Sequence, residues 1–323
     1  SLQVTIPNEW QKVADVNVGY TAGIETDRIT TEWIEKSNIM DRIIVVSNHA
    51  KHGFDHSSYN IIDQAQPDKI IGNLKNQTPV TAVNYPVKKV TAKKIDIDFD
   101  TDFNFLVVAQ WGVRKNVEST IRWFVEEFYD QPVGMVLKAS MASSNTMDYG
   151  ACAHSLKTIL SSPTLPQDRK CKLYLVHGNM TEEEMASLYK HPKIKAFMTL
   201  THGEGFGLPI FEAAYSGLPI LAPGWSGHCD FLYAEEALKS SSKGVRGSRQ
   251  RRKTKTVPLF KEIGYTLGPV QPEAIWPSVL SEGSMWCFAE QGSAKMAMRD
   301  VHKNYSKYKT LANKLKKHVT KNF

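Results

Sequence analysis

The sequence predicts an α/β protein built from two doubly wound domains. Its 323 residues are enough for two domains that each bury a hydrophobic core. Short runs of β-branched residues, such as Arg42–Ser47, are typical of parallel strands that are buried on both faces. These runs alternate with segments of helical periodicity, and that alternation is the pattern of a doubly wound sheet.

In the first half of the chain, Thr30 or Thr31 is expected to cap a helix that continues to Met40, because acidic residues occupy its early turns. A further helix is expected to start at His49. The other predicted elements are strands at Leu2–Ile6, Val16–Thr21, Arg42–Ser47 and Val80–Val87, and a short helix at Trp10–Ala14.

In the second half, Asn116 is expected to cap the first helix, and Thr181 with Glu184 forms a capping box. The predicted strands are Phe105–Gln110, Val133–Ala139, Lys172–Val176, Ile194–Leu200 and Pro219–Ala222. The predicted helices are Val117–Tyr129, Asp148–Ser161, Glu182–Tyr189, one that opens at Leu208, and a long amphipathic helix at Ser293–His318. The region between the basic loop described below and Glu290 has only a weak pattern.

These elements predict a first domain at 1–92, a linker at 93–104, a second domain at 105–290 and a C-terminal helix at 291–323. The linker contains the run DIDFDTD, from Asp96 to Asp102. A calcium loop needs a glycine at its sixth position and a glutamate at its twelfth, and neither is present. The alternation of acidic and apolar residues instead favours a solvated or half-buried strand without a metal ion.

The formal net charge of +7 comes from one segment, Lys239–Lys255, which contains eight basic residues and no acidic one. Without it the net charge would be about −1, so the basic character belongs to a loop. The four cysteines have no metal-like spacing and are expected to be buried free thiols. The sequence contains no run of eighteen apolar residues, and we expect a soluble, cytoplasmic protein without a transmembrane segment.

The most informative segment runs from Phe197 to Leu232. An apolar strand is followed by the glycine-rich turn HGEGFG, and Leu208-Pro209 then opens a helix with proline in its first turn. A strand, a glycine loop and a helix N-terminus together form a site for an anion. Glu204 lies in the loop, and Glu212 lies eight residues later in the helix.

The string EGFGLPIFEAAYSGLPILA resembles the E-x7-E segment of the retaining glycosyltransferase family 4, whose members have the two-domain GT-B fold. The resemblance extends to GYTAGIETDRI, to MDRIIVVSNHAKHGF and, more loosely, to the C-terminal helix, which in the family crosses back to the first domain. The first strand and glycine-rich loop of the family have no counterpart here, which predicts an N-terminally incomplete first domain. A histidine near the transferred sugar usually lies in that part of the family.

The resemblance implies a retaining, metal-independent transfer of a sugar, a hexose in our prediction, from a nucleotide-diphosphate sugar of the UDP or GDP type to a hydroxyl acceptor. Arg114 and Lys115 would stabilise the leaving diphosphate, since departure of the nucleotide adds negative charge. Glu204 would accept hydrogen bonds from sugar hydroxyls, and Glu212 would bind the ribose. The other predicted donor-binding residues are Gly112, Lys138, His177, Gly205, Phe206, Gly207 and Leu208; no cofactor and no metal ligand is expected.

Acceptor-side candidates are Glu25 and Asp27, which follow a strand at the edge where α/β folds bind ligands. The alternative for Glu25 is that it caps the next helix. His202 has either a catalytic role or a structural or substrate hydrogen bond. His49, His52 and His56 are interpreted as surface histidines.

Two other functions stay open. The Lys239–Lys255 loop could hold DNA, so that the acceptor would be a hydroxymethylated base, although it lacks aromatic residues for stacking. Alternatively, the chain binds nucleotide sugars without catalysis.

Overall fold

The computed structural model describes residues 1–237 and 254–323. The elements of the first domain are β1 (Leu2–Val4), β2 (Val18–Thr21), α1 (Thr31–Ser37), β3 (Arg42–Val45), α2 (Asn48–His56), β4 (Ser58–Ile62), β5 (Ile70–Lys75) and β6 (Val80–Ala82). Four of the strands form a parallel sheet in the order β1-β2-β3-β6, and β4 and β5 form a separate antiparallel hairpin. The hairpin was not predicted, and the strand predicted at Val80–Val87 ends early.

The helix predicted at Trp10–Ala14 is wrong. Trp10 follows a short 3-10 turn, and its ring is fully buried against Phe54. The side chain of Asn17 then accepts hydrogen bonds from the backbone amides of Val13 and Ala14, at 3.1 Å each. This segment is therefore held as a loop, because the Trp10 ring is buried and the Asn17 side chain binds two backbone amides that a helix would use.

The second domain contains a six-stranded parallel sheet in the order β14-β11-β10-β7-β8-β9. Two antiparallel hairpins, β12-β13 and β15-β16, occupy the region that was only weakly patterned in the sequence. The elements are β7 (Asn104–Gln110), α3 (Val117–Phe128), β8 (Gly134–Ser140), α4 (Thr146–Leu160), β9 (Lys172–Val176), α5 (Glu182–Tyr189), β10 (Ile194–Met198), α6 (Leu208–Ser216), β11 (Ile220–Pro223), α7 (Cys229–Leu232), β12 (Tyr233–Ala237), β13 (Thr254–Pro258), β14 (Lys261–Ile263), β15 (Tyr265–Pro269), β16 (Met285–Ala289), α8 (Gln291–Lys303) and α9 (Tyr305–Asn322).

The single C-terminal helix of the prediction is two helices. Helix α8 ends at Asn304, whose φ of −111° and ψ of 37° are not helical and whose side-chain amide donates to the Asp300 carboxylate at 2.7 Å. Helix α9 then packs against α6 and buries Leu315 and Val319. The chain finally reaches Val87, whose amide donates to the carbonyl of Phe323 at 3.2 Å.

Hydrogen bonds of Asp230 join the second domain to the first. Asp230 Oδ2 accepts hydrogen bonds from the backbone and side-chain amides of Asn48, at 2.8 and 3.1 Å, and from Asn84 Nδ2 at 2.8 Å. Within the predicted linker only Asn104, the first residue of β7, belongs to a strand; Phe99 is buried in a hydrophobic core cluster and Ile97 packs against it. The boundaries at 92, 104 and 290 stay predictions. None of the described helices has the length and apolar character needed to span a bilayer.

The contact between α3 and α8 gives a test of the fold. The carboxylate of Glu127 is almost fully buried and binds Arg299 through Nε at 2.6 Å and Nη2 at 2.7 Å. Arg299→Ala would remove the partner of that carboxylate, and we expect it to lower the melting temperature. Glu127→Gln, which keeps the shape and one acceptor, should lower it less. Thermal melting checks both variants, and an unchanged melting temperature for Arg299→Ala would contradict the assignment.

Candidate active site

The turn that follows β7 carries the two basic residues of the site. Asn116 adopts a left-handed conformation, with φ of 49°, and its side chain donates to the Leu200 carbonyl at 3.2 Å. The Arg114 carbonyl accepts a hydrogen bond from the His202 amide at 2.8 Å. The turn is therefore fixed to the loop after β10, and both turns lie at the carboxyl edge of the sheet.

Arg114, Lys115 and Glu204 meet at this edge. Lys115 Nζ donates to Glu204 Oε1, and Arg114 Nη1 lies 3.2 Å from Glu204 Oε2. Arg114 Nη1 also donates to the Gly203 carbonyl at 2.8 Å, and its Nε lies 3.4 Å from Glu25 Oε1 of the first domain. We call these four residues, Glu25, Arg114, Lys115 and Glu204, the charge cluster.

Burial and charge act against each other within the charge cluster. Burial would raise the pKa of Glu204, but Lys115 and Arg114 together hold it below its usual value. Burial lowers the pKa of Lys115 despite Glu204, whereas Glu25 and Glu204 outweigh burial and raise the pKa of Arg114. For Glu25, burial dominates over Arg114 and its pKa is raised.

The N-terminus of α6 borders the charge cluster. Gly207 precedes the helix with φ of +88°, a conformation that suits glycine. Gly205 lies so close to the first domain that a Cβ there would meet the Ala22 carbonyl at 2.6 Å. The amides of residues 205–208 donate no hydrogen bond to any described residue, so they are available to an anion.

A cavity of about 470 Å³ extends along α6 from Leu208 to Ser216. Glu212 lines it and accepts a hydrogen bond from Tyr189 at 2.9 Å, while burial raises the pKa of Glu212 against the effect of that bond. Lys138 Nζ donates to the Gly178 carbonyl at 2.7 Å in the neighbouring loop, and burial lowers its pKa.

Other predicted residues are engaged elsewhere. His177 Nε2 lies 2.7 Å from Asp148 Oδ1, and Asp148 also accepts the amides of the loop after β8. Cys152 lies beside them, so that the Asp148 carboxylate, the Cys152 thiol and the His177 ring offer three possible metal-binding atoms within 4.8 Å of one another. The spacing of the cysteines in the sequence did not predict this proximity. Because both oxygens of Asp148 already accept amide hydrogen bonds, we interpret this group as a structural clasp. A Cβ at Gly112 would meet nothing within 4 Å, so packing does not explain that glycine.

Of the two residues predicted to face the acceptor, Asp27 accepts a hydrogen bond from the Met285 amide at 2.7 Å and forms an ion pair with Arg28. It joins the first domain to β16, and its predicted contact with the acceptor stays a prediction. The other predicted residue, Glu25, lies in the charge cluster beside Arg114.

His202 has both ring nitrogens occupied. Nδ1 bonds the Cys287 carbonyl at 2.6 Å, Nε2 lies 3.2 Å from Gln271 Nε2, and the ring stacks on Trp286 at 4.9 Å between centroids. This geometry favours the structural alternative for His202. His49 is partly buried, and its ring contacts Trp225 of the second domain edge-on at 4.8 Å, whereas His52 and His56 are exposed as predicted. The position of His49 in the run SNHAKHGF gave no signal of this.

Residues 239–253 of Lys239–Lys255 lie outside the described residues.

No protein-family model and no curated protein matches the chain. Among solved structures it is similar to the sucrose-phosphate synthase of Thermosynechococcus elongatus, with a TM-score of 0.58 and 12% identity, over 95% of this chain and 63% of that one. It is also similar to HepE of Anabaena in complex with UDP and glucose, with a TM-score of 0.53 and 12% identity, over 95% and 68% of the two chains. The chain thus spans less than two thirds of the synthase. At these identities the likeness concerns the fold, and it confirms the predicted GT-B arrangement.

The raised pKa of Glu25 predicts a pH-dependent effect of Glu25→Gln. A carboxyl group whose pKa is raised by folding stabilises the folded state at low pH, and that stability is lost as the pH rises through the raised pKa. Glutamine does not ionise, so Glu25→Gln should melt above the wild type at pH 8, and the difference should disappear near pH 4. Melting curves across this range check it, with the exposed Glu35→Gln as control. A variant that melts below the wild type at pH 8 would contradict the effect.

Proposed function

We propose that the chain is a glycosyltransferase that moves a sugar from a nucleotide-diphosphate donor to a hydroxyl acceptor, with retention of configuration and without a metal ion. The observation that carries this proposal is the convergence of Arg114, Lys115 and Glu204 with the N-terminus of α6. A guanidinium, an ammonium and a helix N-terminus with available amides form a strong site for a diphosphate.

The donor follows the line of these features. Its diphosphate binds the amides of residues 205–208 and the cations of the charge cluster. Its nucleoside lies in the cavity along α6, where the Glu212 carboxylate binds the ribose hydroxyls. Lys138 and the His177–Gly178 loop lie on the nucleobase side. The transferred sugar is then beside Glu204, whose carboxylate accepts hydrogen bonds from its hydroxyl groups.

The same residues supply the chemistry. When the bond between the sugar and the diphosphate breaks, negative charge develops on the leaving oxygen, and Arg114 and Lys115 stabilise it. Their contacts with Glu204 and Gly203 fix them before the donor arrives, so little reorganisation is needed. Two cations provide the positive charge for which other transferases use a divalent ion, which supports metal independence. Glu25 is the acceptor-side acid, on the opposite domain.

A binding protein that lacks catalysis would hold a diphosphate with the same cations and amides, so turnover of the donor separates it from the enzyme. The DNA acceptor depends on the Lys239–Lys255 loop, which is outside the described residues except at its end, and it stays a prediction.

A thermal-shift screen with UDP, GDP, ADP and dTDP, and with their glucose conjugates, tests the donor site. HepE binds UDP and glucose, so UDP-glucose is the first donor to examine. We expect one nucleotide to raise the melting temperature with or without EDTA. Donor turnover should then fall roughly a hundredfold or more in Arg114→Ala. Stabilisation by no nucleotide would reject the donor site, and stabilisation without turnover would favour the binding protein.

The ribose contact is tested separately. Glu212→Ala removes a carboxylate that can bind two adjacent hydroxyls, and we expect donor affinity to fall by about 1.5–3 kcal/mol. Isothermal titration calorimetry with the nucleotide that stabilises the wild type measures it. Glu35→Ala, in an exposed position on α1, is the control. Unchanged affinity in Glu212→Ala would remove this residue from the donor site.

A further inference from the structure

A second cavity, of about 270 Å³, lies beside the turn that carries Arg114 and Lys115. Its other wall is the segment that connects β15 to β16, in which a 3-10 turn, Pro272–Ala274, contacts the turn after β7. We call it the turn cavity. It shares no lining residue with the cavity along α6, so the nucleoside of the proposed donor leaves it free.

The connecting segment is fixed in place. Trp286 is fully buried, stacks on His202 and donates from Nε1 to Gln271 Oε1 at 2.9 Å. The amide of Cys287 donates to the His202 carbonyl at 3.0 Å. The segment is therefore attached to the loop after β10, and the turn cavity is formed before any ligand binds.

The lining combines an aromatic surface with a few polar groups. Trp111 is partly buried, packs against the core of the second domain and contacts no other aromatic ring in the described part of the chain. Its indole N–H donates to no described residue and is not enclosed, so it is available to a ligand. Glu273 presents an exposed carboxylate, and Gln110 donates through Nε2 to the Met141 carbonyl at 2.9 Å, which leaves its Oε1 as an acceptor.

This lining matches a sugar ring. A sugar has apolar C–H faces and a rim of hydroxyl groups, so it can cover an indole while its rim binds a carboxylate and an amide. The volume of about 270 Å³ is just below the ~300–1,000 Å³ of sites for drug-sized ligands, which suits a single ring. A lipid chain would need a longer apolar groove, and a polyanion would meet the carboxylate of Glu273.

The turn cavity also lies where an acceptor is needed. Arg114 lines it and places Nε 3.4 Å from Oε1 of Glu25, the acceptor-side acid of the proposed function. Same-face attack with retention requires the acceptor hydroxyl beside the leaving oxygen, which Arg114 and Lys115 stabilise. In that step the bond from the anomeric carbon to the diphosphate oxygen breaks and a bond to the acceptor oxygen forms. The hydroxyl proton passes to the leaving diphosphate.

We propose that the turn cavity is the acceptor site and that the acceptor is a neutral saccharide, with its ring on Trp111 and a hydroxyl group on Glu273. This inference rests on the proposed function and deepens it, because it names the class of the acceptor and the place where it binds.

The test separates transfer to a saccharide from transfer of the donor sugar to water. The donor is the nucleotide-glucose that stabilises the wild type, and the saccharides are glucose, galactose, mannose, fructose, N-acetylglucosamine, maltose and cellobiose. Glycerol supplies hydroxyl groups without a ring. We expect the wild type to transfer to at least one saccharide. Trp111→Leu should raise the KM for that saccharide about tenfold, with the donor KM and donor hydrolysis unchanged.

Three further variants sharpen this result. Trp111→Phe keeps an aromatic face and should recover part of the affinity for the saccharide. Trp276→Leu is the matched control, because Trp276 is 56% exposed on the connecting segment and does not line the turn cavity. Glu273→Ala should raise the saccharide KM roughly threefold or more. Its control is Glu282→Ala, an exposed glutamate of the same segment outside the lining, and this exposed pair serves even where Trp111→Leu does not fold.

Three outcomes would overturn the proposal. The wild type would consume the donor but transfer to none of the saccharides, or glycerol would be used with the same KM as the saccharides. In the third outcome, Trp111→Leu and Glu273→Ala would keep the saccharide KM of their controls.

Failure of the proposed function gives a different result, in which no donor is bound or consumed with or without a saccharide. Saturation-transfer NMR then measures binding of the same saccharides to the free protein. A signal that is lost in Trp111→Leu would keep the saccharide site and reject only the transferase. Absence of any signal would reject both.

Discussion

One buried carboxylate, Glu204, determines the arrangement of the candidate site. A carboxylate removed from water needs cations, and here they come from a turn 89 residues earlier in the chain. The pairing of β7 with β10 brings the two turns together at the carboxyl edge of the sheet. The charge cluster can therefore form only because β7 and β10 are neighbours in the sheet. The hydrogen bonds of Arg114 and Asn116 with the loop after β10 then fix the positions of its side chains.

The sequence predicted the parts of the site that local chemistry fixes. The glycine-rich turn and the two glutamates indicated a helix N-terminus with acids beside it, and the Thr181 capping box is present as predicted. The elements that the sequence pattern did not predict are those fixed by contacts between residues far apart in the chain. Trp10 is held in a loop by burial against Phe54, and the hairpin β15-β16 is fixed by hydrogen bonds from His202 and Asp27. The inward position of His49 depends on Trp225, 176 residues away, and no local pattern encodes it.

The two domains contribute different chemistry. The second supplies the cations, the available amides and the cavity along α6, which suit a charged nucleotide. The first supplies Glu25, which lies in the loop that follows β2 and pairs with Arg114. Asp230 and Asp27 join the domains through hydrogen bonds from amides, and Glu25 joins them through its ion pair with Arg114. A site divided in this way is complete only when the domains are together.

Under the proposed function, the charge balance of the cluster links donor binding to the protonation of Glu25. In the free protein, Arg114 and Lys115 are matched by Glu25 and Glu204, so the cluster is close to neutral when all four are ionised. A diphosphate adds about two negative charges, which raises the pKa of a neighbouring carboxylate and favours its protonated form. Glu204 is fixed in its loop by Lys115 and by its backbone hydrogen bonds to Ser226 and Gly227. Glu25 already has a raised pKa and belongs to the other domain, so under the proposed function it is the carboxylate that we expect to take up a proton.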